Sequence, residues 1–386
     1  MELIGYERDD GSVGVRNYVL LLPSVTCSME VAMRIANHVE GAKALIHHQG
    51  CIQMGLDLEI TQRTLAGLGR NPNVGAVLVV SQGCESVSAE RLADDIAKVG
   101  KPVEIITIQE LGGVVKTVAR GVSIARKMAQ EISQIKRKSF DVSDLTIGIK
   151  CGASDATSGI ASNPAVGVAS DNIINNGGTV IFGETTELIG AEHIIAKRAV
   201  SDAVSKKIYE IVERMENRAK EVGVDMRGTQ PTPGNIKGGL TTLEEKSLGT
   251  IRKAGTSLIE GVLEYAESPK GKGLYIMDTP GREPEALTGF VAGGAQILLF
   301  TTGRGATQGY PIVPVIKITG NSETYKKMTD DIDLDVSSII EGKETIEEAG
   351  NRIYLEILKV ASGKKTKAES LGCAGPADIY RIGHTF

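Results

Sequence analysis

Short apolar runs typical of buried strands alternate with helical patterns through the first 140 residues of this 386-residue chain. The strand-like runs lie near residues 17–22, 43–47, 74–80 and 103–108, and the helical stretches include 28–39, 57–68, 88–99 and 114–138. Parallel strands need a long crossover connection, and that connection is usually a helix. The alternation therefore predicts βαβ units built on a parallel sheet.

A second series of strand and helix patterns begins at Leu145. We predict strands at 145–150, 179–182, 273–277, 296–300 and 313–318, and helices at 164–175, 189–222 and 346–361. The predicted fold class is α/β, with Rossmann-like parallel-sheet units and flanking helices in two to three subdomains. We expect an N-terminal α/β domain over 1–140 and a C-terminal α/β catalytic region over 141–386. The Gly- and Pro-rich stretch 223–240 could divide that region further.

The overall composition argues against several classes of partner. The formal net charge is −5, aromatic residues are 4% of the chain and Trp is absent, which disfavours binding to nucleic acid or to an anionic membrane surface. The first ten residues are charged and contain no apolar signal-peptide core, and no window approaches ~18 consecutive apolar residues. Five cysteines without regular spacing are atypical of a secreted disulfide framework, so we expect a cytoplasmic protein.

Four of the five cysteines follow directly after strand-like runs: Cys27, Cys51, Cys84 and Cys151. Ligands of open α/β sheets bind outside the carboxyl ends of the strands, so we expect these thiols to converge. Thiolates and imidazoles bind zinc and iron, and His48 lies three residues before Cys51. The pattern predicts a metal site made by Cys51, Cys84, Cys151 and His48, or a reactive-thiol site. Taken singly, each motif also fits a structural residue.

Four further side chains in these loops are candidates for proton transfer, together with His48: Glu85, Asp155, Glu192 and His193. Glu85 directly follows Cys84, and Asp155 lies in the loop after Cys151. Glu192 and His193 stand at the start of a predicted helix, where a glutamate is also favoured by the helix dipole alone.

A Gly-rich loop follows the strand near 296–300, over residues 301–309. Its backbone amides and the Arg304 guanidinium could hold an anionic group, because the arginine fork fits a carboxylate. We predict that Thr301, Thr302, Arg304 and Lys317 bind the substrate. The loop lacks a Walker A ending and opens no helix, so nucleotide binding is disfavoured.

Together these motifs resemble the large, C-terminal part of the altronate/galactarate dehydratase family, which also includes the large subunit of sulfolactate sulfo-lyase. The matching stretches are 5–11, 14–18, 48–51, 71–75, 83–85, 150–152, 154–155, 190–193, 238–242, 245–249, 277–280, 301–305 and 314–317. Single-chain members carry a small β-rich domain ahead of the region that matches here. The resemblance therefore implies a separate small β-rich subunit and an oligomeric enzyme. One departure is Ile52, which stands where the family pattern has a glycine.

The resemblance implies a lyase of the hydro-lyase type acting in carbohydrate catabolism. The expected reaction is metal-dependent β-elimination of water from a sugar acid such as altronate, giving a 2-keto-3-deoxy acid, with Fe²⁺ or an iron–sulfur cluster as cofactor. A first alternative is the large subunit of (2R)-sulfolactate sulfo-lyase, which releases bisulfite and pyruvate. A non-catalytic, metal-holding binding subunit and a thiol-nucleophile hydrolase are alternatives of other classes.

Overall fold

Three sheets organise the chain in a computed structural model, which describes residues 3–384. Two of them are parallel and flanked by helices, which confirms the predicted α/β class. The elements of the N-terminal half are β1 (Leu3–Glu7), β2 (Val13–Gly14), β3 (Tyr18–Pro23), α1 (Met29–Ala36), β4 (Ala42–Ala44), α2 (Gly55–Arg70), β5 (Val74–Ser81), α3 (Ala89–Ala97), β6 (Val103–Thr107) and α4 (Val114–Ile132).

The N-terminal half is built on a four-stranded parallel sheet with the order β4-β3-β5-β6. Strand β5 is buried along its whole length, as expected for a continuous apolar run covered on both faces. On one face Leu21 and Leu78 pack with α1 and α4. On the other face Leu20 and Val79 pack with α2 and α3. The strand period of two thus sends alternate side chains into two different cores.

The C-terminal half is built on a seven-stranded parallel sheet. Strand β7 (Lys138–Phe140) pairs with β1 outside this sheet. The elements that follow it are β8 (Thr146–Gly152), α5 (Asn163–Asn175), β9 (Thr179–Phe182), α6 (Glu192–Ile195), α7 (Asp202–Glu221), α8 (Met226–Thr229), α9 (Pro233–Lys237), α10 (Leu243–Ile251), β10 (Ile259–Leu263), β11 (Gly273–Met277), α11 (Glu283–Ala292), β12 (Ile297–Thr302), β13 (Val315–Thr319), α12 (Ser322–Lys327), β14 (Leu334–Asp335), α13 (Ile346–Ala361) and α14 (Lys367–Leu371). The strand order is β10-β11-β9-β8-β12-β13-β14.

One apolar core joins the two halves. Leu65 of α2 and Phe290 of α11 belong to the same buried cluster, together with Phe300 of the large sheet. The two helices approach closely at Gly67, where an added Cβ would lie 2.4 Å from the carbonyl oxygen of Ala292. Near this contact, the side-chain amide of Asn71 donates hydrogen bonds to the carbonyl oxygens of Val291 and Ala295. The parallel sheets are therefore held in a fixed relation through α2 and α11.

Two predicted helices are too long. The stretch 189–222 breaks into α6 and α7, because Ser201 is extended and caps α7 by accepting a hydrogen bond from the amide of Val204. The helix predicted over 114–138 ends at Ile132, and Lys138 begins β7, which pairs antiparallel with β1. That three-stranded sheet, with the order β2-β1-β7, was not predicted, and neither were β10 and β14. Within residues 3–384 no helix is both long and apolar enough to span a membrane.

Candidate active site

The loops after the parallel strands of the large sheet meet along one edge. The amides of Gly303 and Arg304 donate to the carbonyl of Ala153 at 3.2 and 3.1 Å, which joins the loops after β12 and β8. The amide of Thr185 donates to the carbonyl of Thr279 at 2.9 Å, which joins the loops after β9 and β11. Neighbouring parallel strands end at the same edge, so residues distant in sequence gather there.

A buried ionic cluster lies at this edge around Glu184. The ammonium groups of Lys150 and Lys253 both donate to the Glu184 carboxylate, and all three side chains are at most 1% exposed. The amide of Cys151 donates to the same carboxylate at 3.0 Å. Glu184 has a φ of 68°, a left-handed conformation that is uncommon for a residue other than glycine. The local backbone is thus bent so that one carboxylate serves three donors.

A second carboxylate, Glu187, completes the cluster. Lys246 lies 3.3 Å from it, and Thr250 donates a hydrogen bond to it at 3.2 Å. Burial alone would raise the pKa of Glu187, but Lys246 and the two buried lysines lower that pKa to about 2. Glu184 and Glu187 similarly outweigh burial and hold the pKa of Lys150 above its ordinary value. Burial and the negative charge of Glu187 raise the pKa of Glu184, against the opposing effect of Lys150 and Lys253. Three ammonium groups thus face at most two negative charges, and the cluster has an excess of positive charge.

A cavity of about 340 Å³ borders this cluster at Lys246 and Thr250. Its wall includes Ser154, Asn163, Lys246 and Thr250, together with the apolar side chain of Leu248. A volume of this size suits a small ligand. The cavity has room for a small molecule, and its wall carries two basic side chains, Lys246 and Arg252, and two acidic ones, Asp155 and Glu245.

Cys151 lies behind the wall of the cavity. Its sulfur is 3.0 Å from the Ser154 hydroxyl and 3.6 Å from the Asn163 amide nitrogen, and the residue is 1% exposed. Burial raises the pKa of the Cys151 thiol, and the negative charge of Glu187 raises it further. A thiol held protonated is a weak nucleophile and a weak metal ligand.

Two of the predicted acid–base residues of this half are engaged in local hydrogen bonds. Asp155 lines the cavity, but one carboxylate oxygen accepts from Ser158 and Thr157, and the other accepts from Asn321 at 2.9 Å. Glu192 accepts from Arg227 at 3.1 Å and from the amide of Gly190. Its neighbour His193 is exposed on α6. Their predicted catalytic roles remain predictions.

The four predicted substrate-binding residues differ in accessibility. Arg304 is exposed, and its guanidinium donates to the carbonyl of Gly234 at 3.0 Å. The Thr301 hydroxyl is buried and donates to Asn163 at 2.7 Å, and the Thr302 hydroxyl is buried and accepts from Gly305.

Lys317 is buried, and its ammonium donates no hydrogen bond to any residue in the described part of the chain. Burial lowers the pKa of Lys317, against the opposing effect of Asp333. Of the four residues, Arg304 is thus the accessible one.

The loops after β3, β4 and β5 form the corresponding edge of the smaller sheet. The amide of Thr26 donates to the carbonyl of Gln49, and the amide of Ser86 donates to the carbonyl of Gly50, each at 2.9 Å. These contacts bring together the three loops that carry the exposed thiols of Cys27, Cys51 and Cys84. Convergence of the loops was predicted from their place after parallel strands.

Glu85 organises the loop after β5. Its carboxylate accepts from the Ser24 hydroxyl and from the amides of Gly83 and Cys84, the last two at 2.7 and 2.9 Å. Burial would raise the pKa of Glu85, but these hydrogen bonds lower it below the ordinary value. Such a carboxylate is a weak base, so the arrangement favours a positioning role.

His48 connects the two edges. Its Nδ1 lies 3.3 Å from the Asp378 carboxylate, which also pairs with Arg282 at 2.7 Å. Glu283 follows Arg282 in the sequence, and its carboxylate lies close to Gly152 at the end of β8. A Cβ added to Gly152 would lie 2.4 Å from Glu283 Oε1. The half-exposed His48 imidazole and the Arg282 guanidinium, which follow strands of different sheets, thus share the Asp378 carboxylate.

The predicted metal ligands are not assembled into one ligand set. Among residues 3–384, no group of three or more His, Cys, Asp or Glu side chains is placed to hold a metal ion. Cys151 is buried in the large sheet, whereas Cys51 and Cys84 are exposed at the edge of the smaller one. Their thiols suit iron chemically, but their placement does not fit a closed site.

Several residues of the site were missed in the sequence. Lys246 lies in a stretch that carries the family resemblance, but a single lysine in a helical stretch did not indicate a functional role. Glu184 and Lys253 are distant in sequence and meet only through the sheet order. Asp378 reaches His48 because the C-terminal segment returns to β4, where the amide of Ala377 donates to the carbonyl of Ile46. None of these contacts follows from local periodicity.

Comparison with known proteins places these features in a family. The description D-galactarate/Altronate dehydratase, C-terminal, matches residues 142–383, and D-galactarate dehydratase/Altronate hydrolase, second domain, matches residues 5–133. The chain is 42% identical to (2R)-sulfolactate sulfo-lyase subunit beta of Chromohalobacter salexigens, over 96% of this chain and 95% of that protein. It is 37% identical to galactarate dehydratase (L-threo-forming) of Escherichia coli, over 94% of this chain and 73% of that protein. It is 33% identical to altronate dehydratase of Bacillus subtilis, over 95% of this chain and 75% of that protein. The chain therefore belongs to the galactarate/altronate dehydratase family of lyases.

Proposed function

We propose that the chain is the large subunit of a lyase that eliminates the β-substituent of a small 2-hydroxy acid. The observation that carries this proposal is the cavity beside the ionic cluster, and the two features share Lys246 and Thr250. A 2-hydroxy acid is an anion at neutral pH. Its carboxylate would accept a charge-assisted hydrogen bond from Lys246, which lines the cavity.

Elimination requires removal of the α-proton, which is weakly acidic beside a carboxylate. A positioned base and stabilisation of the resulting enediolate lower this barrier. Lysine charges that are fixed before the reaction would stabilise the growing negative charge without reorganising. We assign the proton transfer to His48, because Asp378 at 3.3 Å can orient its ring.

Two substrates of this class are candidates. Loss of water from a sugar acid such as altronate would give a 2-keto-3-deoxy acid. Loss of bisulfite from (2R)-sulfolactate would give an enol that becomes pyruvate. The similarity figures favour the second: 42% identity over nearly the whole sulfo-lyase subunit exceeds 33–37% identity over about three quarters of the dehydratases.

We further propose that a small β-rich subunit completes the enzyme and that iron assists the elimination. A relative named subunit beta supports the first point. Exposed thiols on three touching loops support the second, since thiolates are soft iron ligands. Iron would act as a Lewis acid on the substrate oxygens. The described side chains by themselves form no closed ligand set for iron.

The test is an assay of the chain purified anaerobically with its small subunit, with and without added Fe²⁺. Altronate, galactarate and (2R)-sulfolactate are supplied separately, and 2-keto acid and sulfite are measured. Keto acid with an equal amount of sulfite identifies the sulfo-lyase, and keto acid without sulfite identifies the dehydratase. No keto acid from any of the three would overturn the proposed reaction class.

A further inference from the structure

An exposed apolar surface lies next to the edge that carries His48. It consists of Ile52, Met54, Leu56 and Ile382, and the first three side chains are 60%, 60% and 54% exposed. We call these four side chains the 52–56 surface. Three large apolar side chains within five residues are unusual on a protein that meets only water, and such groups mark contact sites for other proteins.

The backbone of Ile52 makes this exposure more informative. Its φ is +45°, a left-handed conformation that is a genuine outlier for a β-branched residue. Gly55, the first residue of α2, has a similar φ of 58°, and an added Cβ there would meet nothing within 4 Å. The loop therefore holds an unfavourable residue in an unfavourable conformation, with its side chain directed to solvent rather than into the core.

The 52–56 surface is continuous with the candidate active site. The Asp57 carboxylate accepts from the amides of Ile382 and Gly383 at 2.8 Å, which fixes the C-terminal segment beside Leu56. The same segment carries Asp378, the partner of His48. Cys51, with its exposed thiol, directly precedes Ile52. A protein bound here would cover the thiol-bearing loops and the approach to His48.

We infer that the 52–56 surface is the docking site of the small subunit, an inference that rests on the two-subunit arrangement proposed above. The chain covers 95% of a relative named as one subunit of an enzyme, but only 73–75% of the single-chain dehydratases. About a quarter of each single-chain relative thus lies outside the region shared with this chain. A separate subunit of that extent, with an apolar face, is the occupant that the surface fits.

The experiment measures binding of the chain to the counterpart subunit of the Chromohalobacter salexigens sulfo-lyase by titration calorimetry. Ile52→Asp/Met54→Asp places two charges in the contact, and we expect its Kd to rise at least about tenfold. The matched control is Leu258→Asp, since Leu258 is 58% exposed in the other half of the chain. Its Kd is expected to stay within about twofold of wild type.

A second variant, Ile52→Gly, separates docking from folding. Glycine tolerates a φ of +45°, so this variant should unfold at the same or a higher temperature than wild type while it binds the subunit more weakly. A merely structural role for Ile52 would not give this combination.

Three results would overturn the inference. The first is that the wild-type chain fails to bind the subunit, and the second is that the Ile52→Asp/Met54→Asp variant binds it as well as wild type does. The third is that this variant changes the oligomeric state of the chain itself in light scattering, because that result would assign the surface to a second copy of the chain. Subunit binding that depends on Ile52 and Met54, without turnover of any hydroxy acid, would uphold the surface and refute the proposed reaction alone.

Discussion

Replacement of Glu184 by glutamine is expected to destabilise the protein strongly. Glu184 accepts hydrogen bonds from Lys150 and Lys253, and none of the three side chains is more than 1% exposed. Glutamine preserves the shape but removes the charge, so two buried ammonium groups are left with Glu187 as their nearest compensating charge. Removing one partner of a buried ion pair costs about 3–5 kcal/mol, because the remaining charge cannot regain its hydration.

Urea unfolding measures this loss. With a slope of roughly 3 kcal/mol per molar urea, the unfolding midpoint of Glu184→Gln should fall by about 1–1.7 M. The matched control is Glu210→Gln, which removes the exposed pair with Lys206 at 3.6 Å and should shift the free energy of unfolding by less than about 0.5 kcal/mol.

The loss in Glu184→Gln should also shrink at alkaline pH, where an uncompensated lysine can lose its proton. A free energy of unfolding within about 1 kcal/mol of wild type at pH 7 would refute the reasoning, because it would show that the two ammonium groups do not depend on this carboxylate.

Three further predictions concern pH, substrate binding and metal. Burial lowers the pKa of His47, which is 2% exposed, to about 4, and the lysines around Glu187 outweigh burial and lower its pKa to about 2. The unfolded chain therefore binds more protons at acid pH, and we expect the free energy of unfolding to fall by about 3 kcal/mol from pH 6.5 to 4 and by a similar amount from pH 4.5 to 2. A urea midpoint independent of pH in these windows would contradict this. Arg304→Lys should raise KM several-fold with an unchanged urea midpoint, because Arg304 is exposed and a lysine cannot bind a carboxylate through two donors; an unchanged KM would remove Arg304 from substrate binding. The anaerobically purified chain with its small subunit should contain iron that is lost in Cys84→Ser, and equal iron in both proteins would remove Cys84 from the metal ligands.

Much of the fold could be predicted because local patterns and tertiary structure agree. The apolar run 74–80 corresponds to β5 at Val74–Ser81, and the helix predicted at 346–361 corresponds to α13. The first is a continuous apolar run of strand length, and the second has a clear helical period. The helix over 189–222 was wrong because the break near Ser201 depends on a cap rather than on periodicity. The pairing of β1 with β7, 133 residues apart between Gly5 and Lys138, carries no local signal at all.

The candidate site was predictable in part for the same reason. The rule that parallel strands expose their carboxyl ends at one edge brought the thiol-bearing loops together correctly. It could not distinguish the edge of the smaller sheet from that of the larger one, and so it grouped Cys151 with Cys51 and Cys84. Lys246 became visible only once the cavity and its distance to Glu187 were known.

The measurement that tests the central claim most directly is the affinity of Lys246→Met for the hydroxy acid that the wild-type enzyme converts. Lys246 lines the cavity, and loss of a charge-assisted hydrogen bond costs about 1.5–3 kcal/mol, so Kd should rise roughly 10- to 150-fold. Lys206→Met, which removes an exposed ammonium elsewhere, should leave Kd unchanged. A Kd for Lys246→Met within about twofold of wild type would show that the substrate carboxylate does not bind over the ionic cluster.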